Sequence, residues 1–205
     1  MGTPLFAVPI LKSLYQNGYP INTVYTQPPQ KSQRGQKINK SPIQNISETL
    51  NLEFRTPNKI KDNKEEFEYI KELEADLAIV VAYGQIIPME YLDLTKKGFI
   101  NIHASILPNW RGAAPIQRSI MNLDDETGIS IMKISEELDT GPVSDIYKIT
   151  QKQSIHSRSE YIYLLSRHNV LVYFCGVRAC YTVRRLLRST DTFWSAAKRV
   201  CSPSS

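Results

Sequence analysis

The chain has 205 residues, enough for one well-packed core or for one domain with an appendage. Its longest apolar stretch near the C-terminus, residues 161–183, contains Arg167, His168 and Arg178, so a bilayer span is not expected. No signal-peptide pattern opens the sequence, and the three cysteines lie in the last quarter without the spacing of a disulfide framework or a metal site. These features predict a cytoplasmic protein.

The net charge of +5 would ordinarily indicate an acidic partner such as nucleic acid, but the charge is distributed unevenly. Residues 1–150 contain 16 Lys and Arg against 18 Asp and Glu, whereas residues 151–205 contain 9 against 2. All of the excess positive charge is therefore in the tail. We place a boundary near Thr150, between a domain of residues 1–150 and a divergent basic tail of residues 151–205.

The predicted elements of the first 150 residues alternate between helix and strand. The helix signals are an apolar face from Phe6 to Leu14 that Asn17 and Gly18 would close, and Ser41 followed by Pro42, which starts a second helix. The remaining predicted elements, in chain order, are a strand at 21–26, a strand at 52–55, a helix at 63–73, a strand at 76–83, a helix at 88–94, a strand at 99–103, a helix at 113–123, and strands at 128–134 and 143–149.

This alternation predicts the fold class, because strands that alternate with helices of about ten residues form a mostly parallel sheet covered on both faces. We therefore expect an α/β fold with a doubly wound, mostly parallel sheet. In such sheets, sites form outside the carboxyl ends of the strands. That rule predicts chemistry just after Tyr83 and around His103.

A polar segment, "QPPQKSQRGQKINK", lies between Thr26 and Ser41 and has no apolar periodicity. Its composition predicts a loop. Four basic residues and no acidic residue favour a phosphate-bearing partner, although a solvated surface loop has the same composition. The basic residues are Lys31, Arg34, Lys37 and Lys40.

Two polar residues interrupt the apolar strand predicted at 99–103. Asn101 and His103 are two apart, so their side chains share one face of the strand, while Ile100 and Ile102 occupy the other. An amide donor beside an imidazole could hold a developing oxyanion and move a proton, as acyl transfer to an amine requires. An Asn and a His that only bond loop backbone at a strand end are an equally good interpretation of this pair.

A carboxylate lies in "LDTG", between the last two predicted strands. Asp139 could orient the imidazole and stabilise its protonated form. It could also be a turn-forming Asp, with Gly141 supplying the positive φ. The combination of Asn101, His103 and Asp139 is more specific than any one of them.

Several motifs in order and spacing resemble the methionyl-tRNA formyltransferase family, from Met1 to about Ile149. They are "MGTPLFAVPILKSL", "VYTQP", "RGQKINKSPI", "VVAYGQIIP", "INIHASILPNWRGAAPIQRSI", "ETGISIMKI" and "LDTGPV". The resemblance implies a Rossmann-like formyltransferase fold. It also implies a reaction in translation initiation, transfer of a formyl group from 10-formyltetrahydrofolate to the amino group of methionine on the initiator tRNA.

The resemblance assigns the catalytic residues position by position. Asn101 would hold the formyl oxygen, His103 would stabilise the oxyanion and help to move protons, and Asp139 would set the charge and orientation of the imidazole. No metal is implied. The role of Arg111, in the turn before the next helix, stays open between the site and a structural ion pair.

The resemblance also implies binding residues and partners. The motif "SILP" matches the segment that contacts the folate co-substrate, and Arg34 matches a position that approaches the acceptor stem of the initiator methionyl-tRNA. A monomer without membrane attachment is expected. The residues of the folate motif are Ser105, Ile106, Leu107 and Pro108.

The sequence departs from the family pattern at both ends. An apolar strand would be expected before "GTP", and a β-barrel domain after residue 150, but the tail from Gln151 resembles neither the barrel nor its linker. A sheet without its first strand is expected to be incomplete at the N-terminus and poorly stable, since each unmade buried hydrogen bond costs roughly 1 to 3 kcal/mol. The tail is interpreted as a shifted reading frame or disordered segment, as a genuine RNA-binding extension, or as a helical cap.

Two other functions remain open beside formylation of the initiator tRNA. The first is a truncated, catalytically silent product that at most binds RNA through its basic loop and tail. The second is formyl transfer to a small-molecule amine.

Overall fold

The computed structural model describes residues 1–31, 38–150 and Arg185, and the chain divides into two units, Met1–Phe99 and Ile100–Ser205. Strand β6 begins at the boundary between the units. After a short 3-10 turn at Leu5–Ala7, the elements in chain order are α1 (Val8–Gln16), β1 (Val24–Tyr25), β2 (Gln30–Lys31), β3 (Ile38–Asn39), α2 (Pro42–Thr49), β4 (Phe54–Arg55), α3 (Lys64–Glu72), β5 (Ala78–Val80), α4 (Met89–Leu92), β6 (Phe99–His103), α5 (Pro115–Met121), β7 (Glu126–Lys133) and β8 (Val143–Thr150).

Helices α1, α2 and α3 of the first unit begin near the predicted residues, and α4 is shorter than predicted. Helix α1 buries the predicted apolar face and ends at Asn17, followed by Gly18 with a φ of 72°. The Ser41 hydroxyl accepts a hydrogen bond of 2.9 Å from the N–H of Gln44, which satisfies one of the free donors at the start of α2. The side chain of Asn63 caps α3 in the same way.

A parallel arrangement connects the short strands of the first unit. Strand β1 pairs with β4 in parallel register, with Val24 opposite Phe54. Gly2 forms a parallel bridge with Val81, and its N–H donates to the carbonyl of Tyr25 at 2.9 Å. Met1 and Gly2 thus lie between β1 and the residues that follow β5, and backbone hydrogen bonds connect them to both.

The amino group of Met1 is buried between these segments. It donates to the carbonyl of Ile79 at 2.7 Å, and burial lowers its pKa to about 5. A cavity of about 170 Å³ adjoins it, lined mainly by apolar side chains such as Leu14, Val24 and Phe99. The packing of the first unit is therefore looser beside Met1 than in a core without voids.

The basic segment between Thr26 and Ser41 is not wholly a loop, and this part of the prediction is wrong. Strands β2 and β3 pair in antiparallel register, with Gln30 opposite Asn39 and Lys31 opposite Ile38. The pairing is carried by backbone hydrogen bonds between mostly polar residues, so hydrophobic periodicity does not reveal it.

The second unit contains an antiparallel sheet formed by β6, β7 and β8. Ile102 of β6 lies opposite Ile131, and Ile131 lies opposite Asp145, with an irregularity in the β7–β8 ladder after Ile131. The α/β class is confirmed; parallel pairings occur in the first unit, and β6–β7 and β7–β8 are antiparallel. The antiparallel pairing of β7 with β8 follows from their short connection, which allows a hairpin but no crossover.

None of the helices in the described ranges has the length and apolar character needed to cross a bilayer. The predicted tail, 151–205, lies outside the described residues except for Arg185. The guanidinium of Arg185 contacts both carboxylate oxygens of Asp145 on β8, at 2.7 and 2.8 Å.

Candidate active site

Strand β6 carries two polar side chains on the face that the sequence predicts. Ile100 and Ile102 are almost completely buried, so alternation places Asn101 and His103 together on the opposite face. His103 is only 6% exposed, and in the ladder it lies opposite Ser130 of β7. The imidazole therefore lies in a largely desolvated position at the carboxyl end of its strand.

Asp139 meets both of these side chains, although it is far from them in sequence. Its Oδ1 accepts a hydrogen bond of 3.0 Å from Asn101 Nδ2, and its Oδ2 lies 3.5 Å from His103 Nδ1. The backbone N–H of Gly112 donates to the same Oδ2 at 2.9 Å. Because the side chains of His103 and Asp139 are 7% and 8% exposed, water screens this contact poorly. The three predicted catalytic residues thus form one cluster.

The backbone of "LDTG" differs from the expected turn in one respect. Asp139 itself has the positive φ, 51°, whereas Gly141 is outside the left-handed region, so the expectation that Gly141 supplies the positive φ is wrong. Gly141 is required for a different reason: a Cβ there would overlap the carbonyl oxygen of Lys133. The positive φ of Asp139 turns the backbone sharply between β7 and β8. Its carboxylate contacts Asn101 and His103 of β6.

The segment Ser105–Pro108 follows β6 directly and is held by β7. The hydroxyl of Ser130 donates to the carbonyl of Ser105 at 2.8 Å and accepts from the N–H of Leu107 at 3.0 Å. Ser105 is fully buried, and its own hydroxyl donates to the carbonyl of Asn109 at 2.5 Å. Ser105 therefore stabilises the turn in this structure, while Ile106 and Pro108 are the more exposed members of the predicted folate motif.

Two backbone groups of the site were not predicted from the sequence. The carbonyl of Trp110 lies 2.9 Å from His103 Nε2, and the N–H of Gly112 holds Asp139. Arg111, between them, is exposed in the turn before α5, as expected, and its carbonyl accepts a bond from Arg118. The sequence shows only that Gly112 permits an irregular backbone path before Pro115, and it does not indicate which backbone groups reach the ring.

The cluster provides the chemical groups for addition of an amine to a carbonyl. The amide of Asn101 carries two N–H bonds, of which Asp139 accepts one, so the other can be donated to a ligand oxygen. The ring nitrogens of the imidazole can donate or accept hydrogen bonds, and the carboxylate stabilises a positive charge on the ring. Within the described residues no group of three or more His, Cys, Asp or Glu side chains could hold a metal ion. Arg34 lies outside those residues.

The comparison with protein families decides the assignment. Residues 1–157 match the model of the family described as formyl transferase. The chain belongs to the formyl transferase family. The matched range includes Asn101, His103 and Asp139, so the whole cluster lies in the part of the chain that matches the family.

Curated relatives of this formyl transferase are most similar over its first 150 or so residues. It is 73% identical over 154 residues to the methionyl-tRNA formyltransferase of Pelagibacter ubique (strain HTCC1062), a match that covers 75% of this chain and 50% of that protein. It is 50% identical over 150 residues to the methionyl-tRNA formyltransferase of Chelativorans sp. (strain BNC1), covering 73% and 48%. The chain thus spans about half the length of the curated relatives it matches.

Solved structures support the fold of this formyl transferase. Phosphoribosylglycinamide formyltransferase from Bacillus halodurans aligns with a TM-score of 0.66 at 17% identity, covering 94% of this chain and 95% of that chain. A formyltetrahydrofolate deformylase from Pseudomonas syringae pv. tomato str. DC3000 aligns with a TM-score of 0.60 at 19% identity, covering 86% and 57%. At these identities the likeness concerns the fold alone.

Proposed function

We propose that this chain carries the catalytic part of an enzyme that transfers a formyl group from 10-formyltetrahydrofolate to the amino group of methionine on the initiator tRNA. The observation that carries the proposal is the buried contact of Asp139 with both Asn101 and His103 in a chain of the formyl transferase family. The 73% identity to a relative named methionyl-tRNA formyltransferase supports the choice of acceptor.

The proposed roles follow from the donors and acceptors of the cluster. The amino group of the acceptor attacks the formyl carbon, and negative charge develops on the formyl oxygen as this new C–N bond forms. The carbonyl then re-forms as the bond to the folate nitrogen breaks, while the attacking nitrogen loses a proton and the folate nitrogen gains one. Asn101 Nδ2 donates its second hydrogen to that oxygen, where a positioned donor is worth about 10²-fold in rate or more. His103 stabilises the same oxygen and moves protons, and Asp139 holds the imidazole in place and stabilises its cationic form.

The binding roles are part of the same proposal. Ile106 and Pro108, with Ser105 and Leu107 as the buried frame of their turn, form the contact surface for the folate co-substrate. Arg34 approaches the acceptor stem of the tRNA. We further propose a monomer that acts in the cytoplasm, because the reaction belongs to translation initiation.

Formyl transfer to charged tRNA tests this proposal. Asp139→Asn is expected to lower the rate of N-formylmethionyl-tRNA formation by about 100-fold or more, because the amide cannot stabilise the imidazolium. Asp125→Asn is the matched control, since Asp125 is an exposed carboxylate outside the cluster, and it is expected to retain the parent rate.

Three results would contradict the proposal. Equal rates of N-formylmethionyl-tRNA formation for the parent and Asp139→Asn would show that the cluster has no catalytic role. Formylation of a small amine, with none of aminoacyl-tRNA, would keep the cluster but replace the acceptor. Absence of turnover with either class of acceptor would favour the silent product.

A further inference from the structure

The second ring nitrogen of His103 has a partner that the proposed catalytic roles do not use. His103 Nε2 lies 2.9 Å from the carbonyl oxygen of Trp110. A carbonyl oxygen only accepts hydrogen bonds, so this contact is a hydrogen bond only if Nε2 carries a hydrogen. The neutral ring then has its lone pair on Nδ1, 3.5 Å from Asp139 Oδ2. The Trp110 carbonyl therefore favours the Nε2–H form, whereas the more distant carboxylate of Asp139 favours a hydrogen on Nδ1, so the two acceptors compete for the single N–H of the neutral ring.

The backbone of Trp110 is in a conformation that bulky residues rarely adopt. Its φ is 59°, in the left-handed region, where a residue with a Cβ loses roughly 1 to 2 kcal/mol. Such a conformation persists only where surrounding contacts hold it. Gly112 and Ala114, with φ values of 81° and 54°, continue the irregular path toward α5.

The contact that holds Trp110 is a hydrogen bond at the other end of its side chain. The indole Nε1–H donates to Asp124 Oδ2 at 2.6 Å, and Asp124 Oδ1 accepts from Asn122 at 2.7 Å. Burial opposes ionisation of Asp124, but the hydrogen bonds that it accepts from Asn122, Trp110 and Ser119 outweigh this effect and lower its pKa. The carboxylate is thus kept ionised as a strong acceptor for the indole.

We infer that Asp124 and Trp110 are positioning residues for His103: the carboxylate fixes the indole, and the backbone carbonyl of the same Trp fixes the Nε2–H form and the orientation of the imidazole. The effect on catalysis in this inference rests on the proposed function, whereas the contacts of Trp110 with His103 and Asp124 do not depend on it. In the proposed reaction, a ring with its hydrogen on Nε2 can donate that hydrogen to the formyl oxygen, whereas the neutral Nδ1–H form cannot donate from Nε2. Loss of the Trp110 contact is therefore expected to lower turnover more than binding of the co-substrate.

The test is a ¹⁵N spectrum of the imidazole rings at a pH where they are neutral, recorded on the full 205-residue chain. The chain has three histidines, so the His103→Gln variant assigns the signal of interest. In the parent the His103 ring is expected in the Nε2–H form. Trp110→Phe, which keeps an aromatic ring but loses the indole N–H, and Asp124→Ala are both expected to give a mixture of the two neutral forms.

Two matched variants separate positioning from a general loss of structure. Asp124→Asn retains an acceptor oxygen for the indole, and it is expected to restore most of the Nε2–H form. Asp125→Ala removes the exposed neighbouring carboxylate, and it is expected to leave the His103 signal unchanged. Where formyl transfer is measured, Asp124→Ala is expected to lower kcat by about fivefold with little change in KM, as the loss of one hydrogen bond predicts.

Either of two spectra would overturn the inference: an Nδ1–H ring in the parent, or a His103 signal that is the same in the parent, Trp110→Phe and Asp124→Ala. Failure of the proposed function gives a different result, because a chain that transfers no formyl group would still show the change of tautomer. The spectrum thus tests the positioning contact independently of the reaction.

Discussion

Glu66 is a carboxylate in the interior of the first unit with three close partner atoms. Tyr25 donates its hydroxyl at 2.6 Å, and the guanidinium of Arg55 donates from Nε and Nη2 at 2.8 and 2.9 Å. Burial and the bond to Glu66 raise the pKa of the Tyr25 hydroxyl, so it stays a donor. This network joins β1, β4 and α3 through side chains.

We predict that Glu66→Ala destabilises the chain by about 3 kcal/mol, since it leaves a buried hydroxyl and a partly buried guanidinium without their acceptor. Glu65→Ala is the matched control: Glu65 contacts the same Arg55, but its side chain is 81% exposed against 7% for Glu66. Its cost is expected to be below about 1 kcal/mol. Urea unfolding of both variants measures the difference, and similar costs would contradict the prediction.

At the scale of elements, the β7–β8 hairpin depends on a glycine that a side chain cannot replace. A Cβ at Gly141 would overlap the carbonyl of Lys133, which is backbone and cannot rotate away. Opening the hairpin there would also displace Asp139, two residues earlier, from His103.

Gly141→Ala is therefore expected to lower the free energy of unfolding by about 2 to 3 kcal/mol. Gly18→Ala is a suitable control, because Gly18 has a φ of 72° but open space around its Cα, so only about 1 kcal/mol of backbone strain is expected. Thermal unfolding midpoints of the two variants give the comparison. A Gly141→Ala chain as stable as Gly18→Ala would indicate that the turn can relax.

The elements that could be predicted from the sequence are those marked by an apolar run or by a capping side chain. The bounds of β6 were predicted correctly, because its branched apolar residues end sharply at His103, and α2 and α3 begin at side chains that cap them. Strands β1 and β5 are shorter than predicted, because hydrophobic character extends beyond the paired residues. The β2–β3 pairing has no apolar pattern and was missed.

In the site, the side chains could be predicted from the sequence and the backbone groups could not. Two polar residues at a spacing of two on an apolar strand indicated Asn101 and His103, and the Asp-Thr-Gly run indicated Asp139. The Trp110 carbonyl and the Gly112 N–H could not be predicted, because every residue has these backbone groups and only the path of the chain brings them to the ring. The roles assigned to these residues remain proposals that the formylation and tautomer experiments test.

At the scale of the whole molecule, one residue of the basic tail has a defined contact. Arg185 reaches Asp145 across 40 positions of sequence, and the two side chains are 43% and 15% exposed. Partial exposure limits the strength of this ion pair because water and salt screen it.

A double-mutant cycle of Arg185→Gln and Asp145→Asn is expected to give a coupling energy of about 0.2 to 1 kcal/mol, which decreases at high salt. Denaturant unfolding at two salt concentrations provides the measurement. Coupling of several kcal/mol, independent of salt, would mean that the pair is more deeply desolvated than the structure describes.

The hydrogen bonds of Ser130 determine which parts of the site open together. Its hydroxyl ties the turn after β6 to β7, while the connection between β7 and β8 carries Asp139. Fluctuations that separate β7 from its neighbours therefore release the turn and the carboxylate in the same event. Amide hydrogens at Leu107 and in β7 should then share a common opening free energy in hydrogen exchange, and partial states with half of the site assembled would be rarely populated.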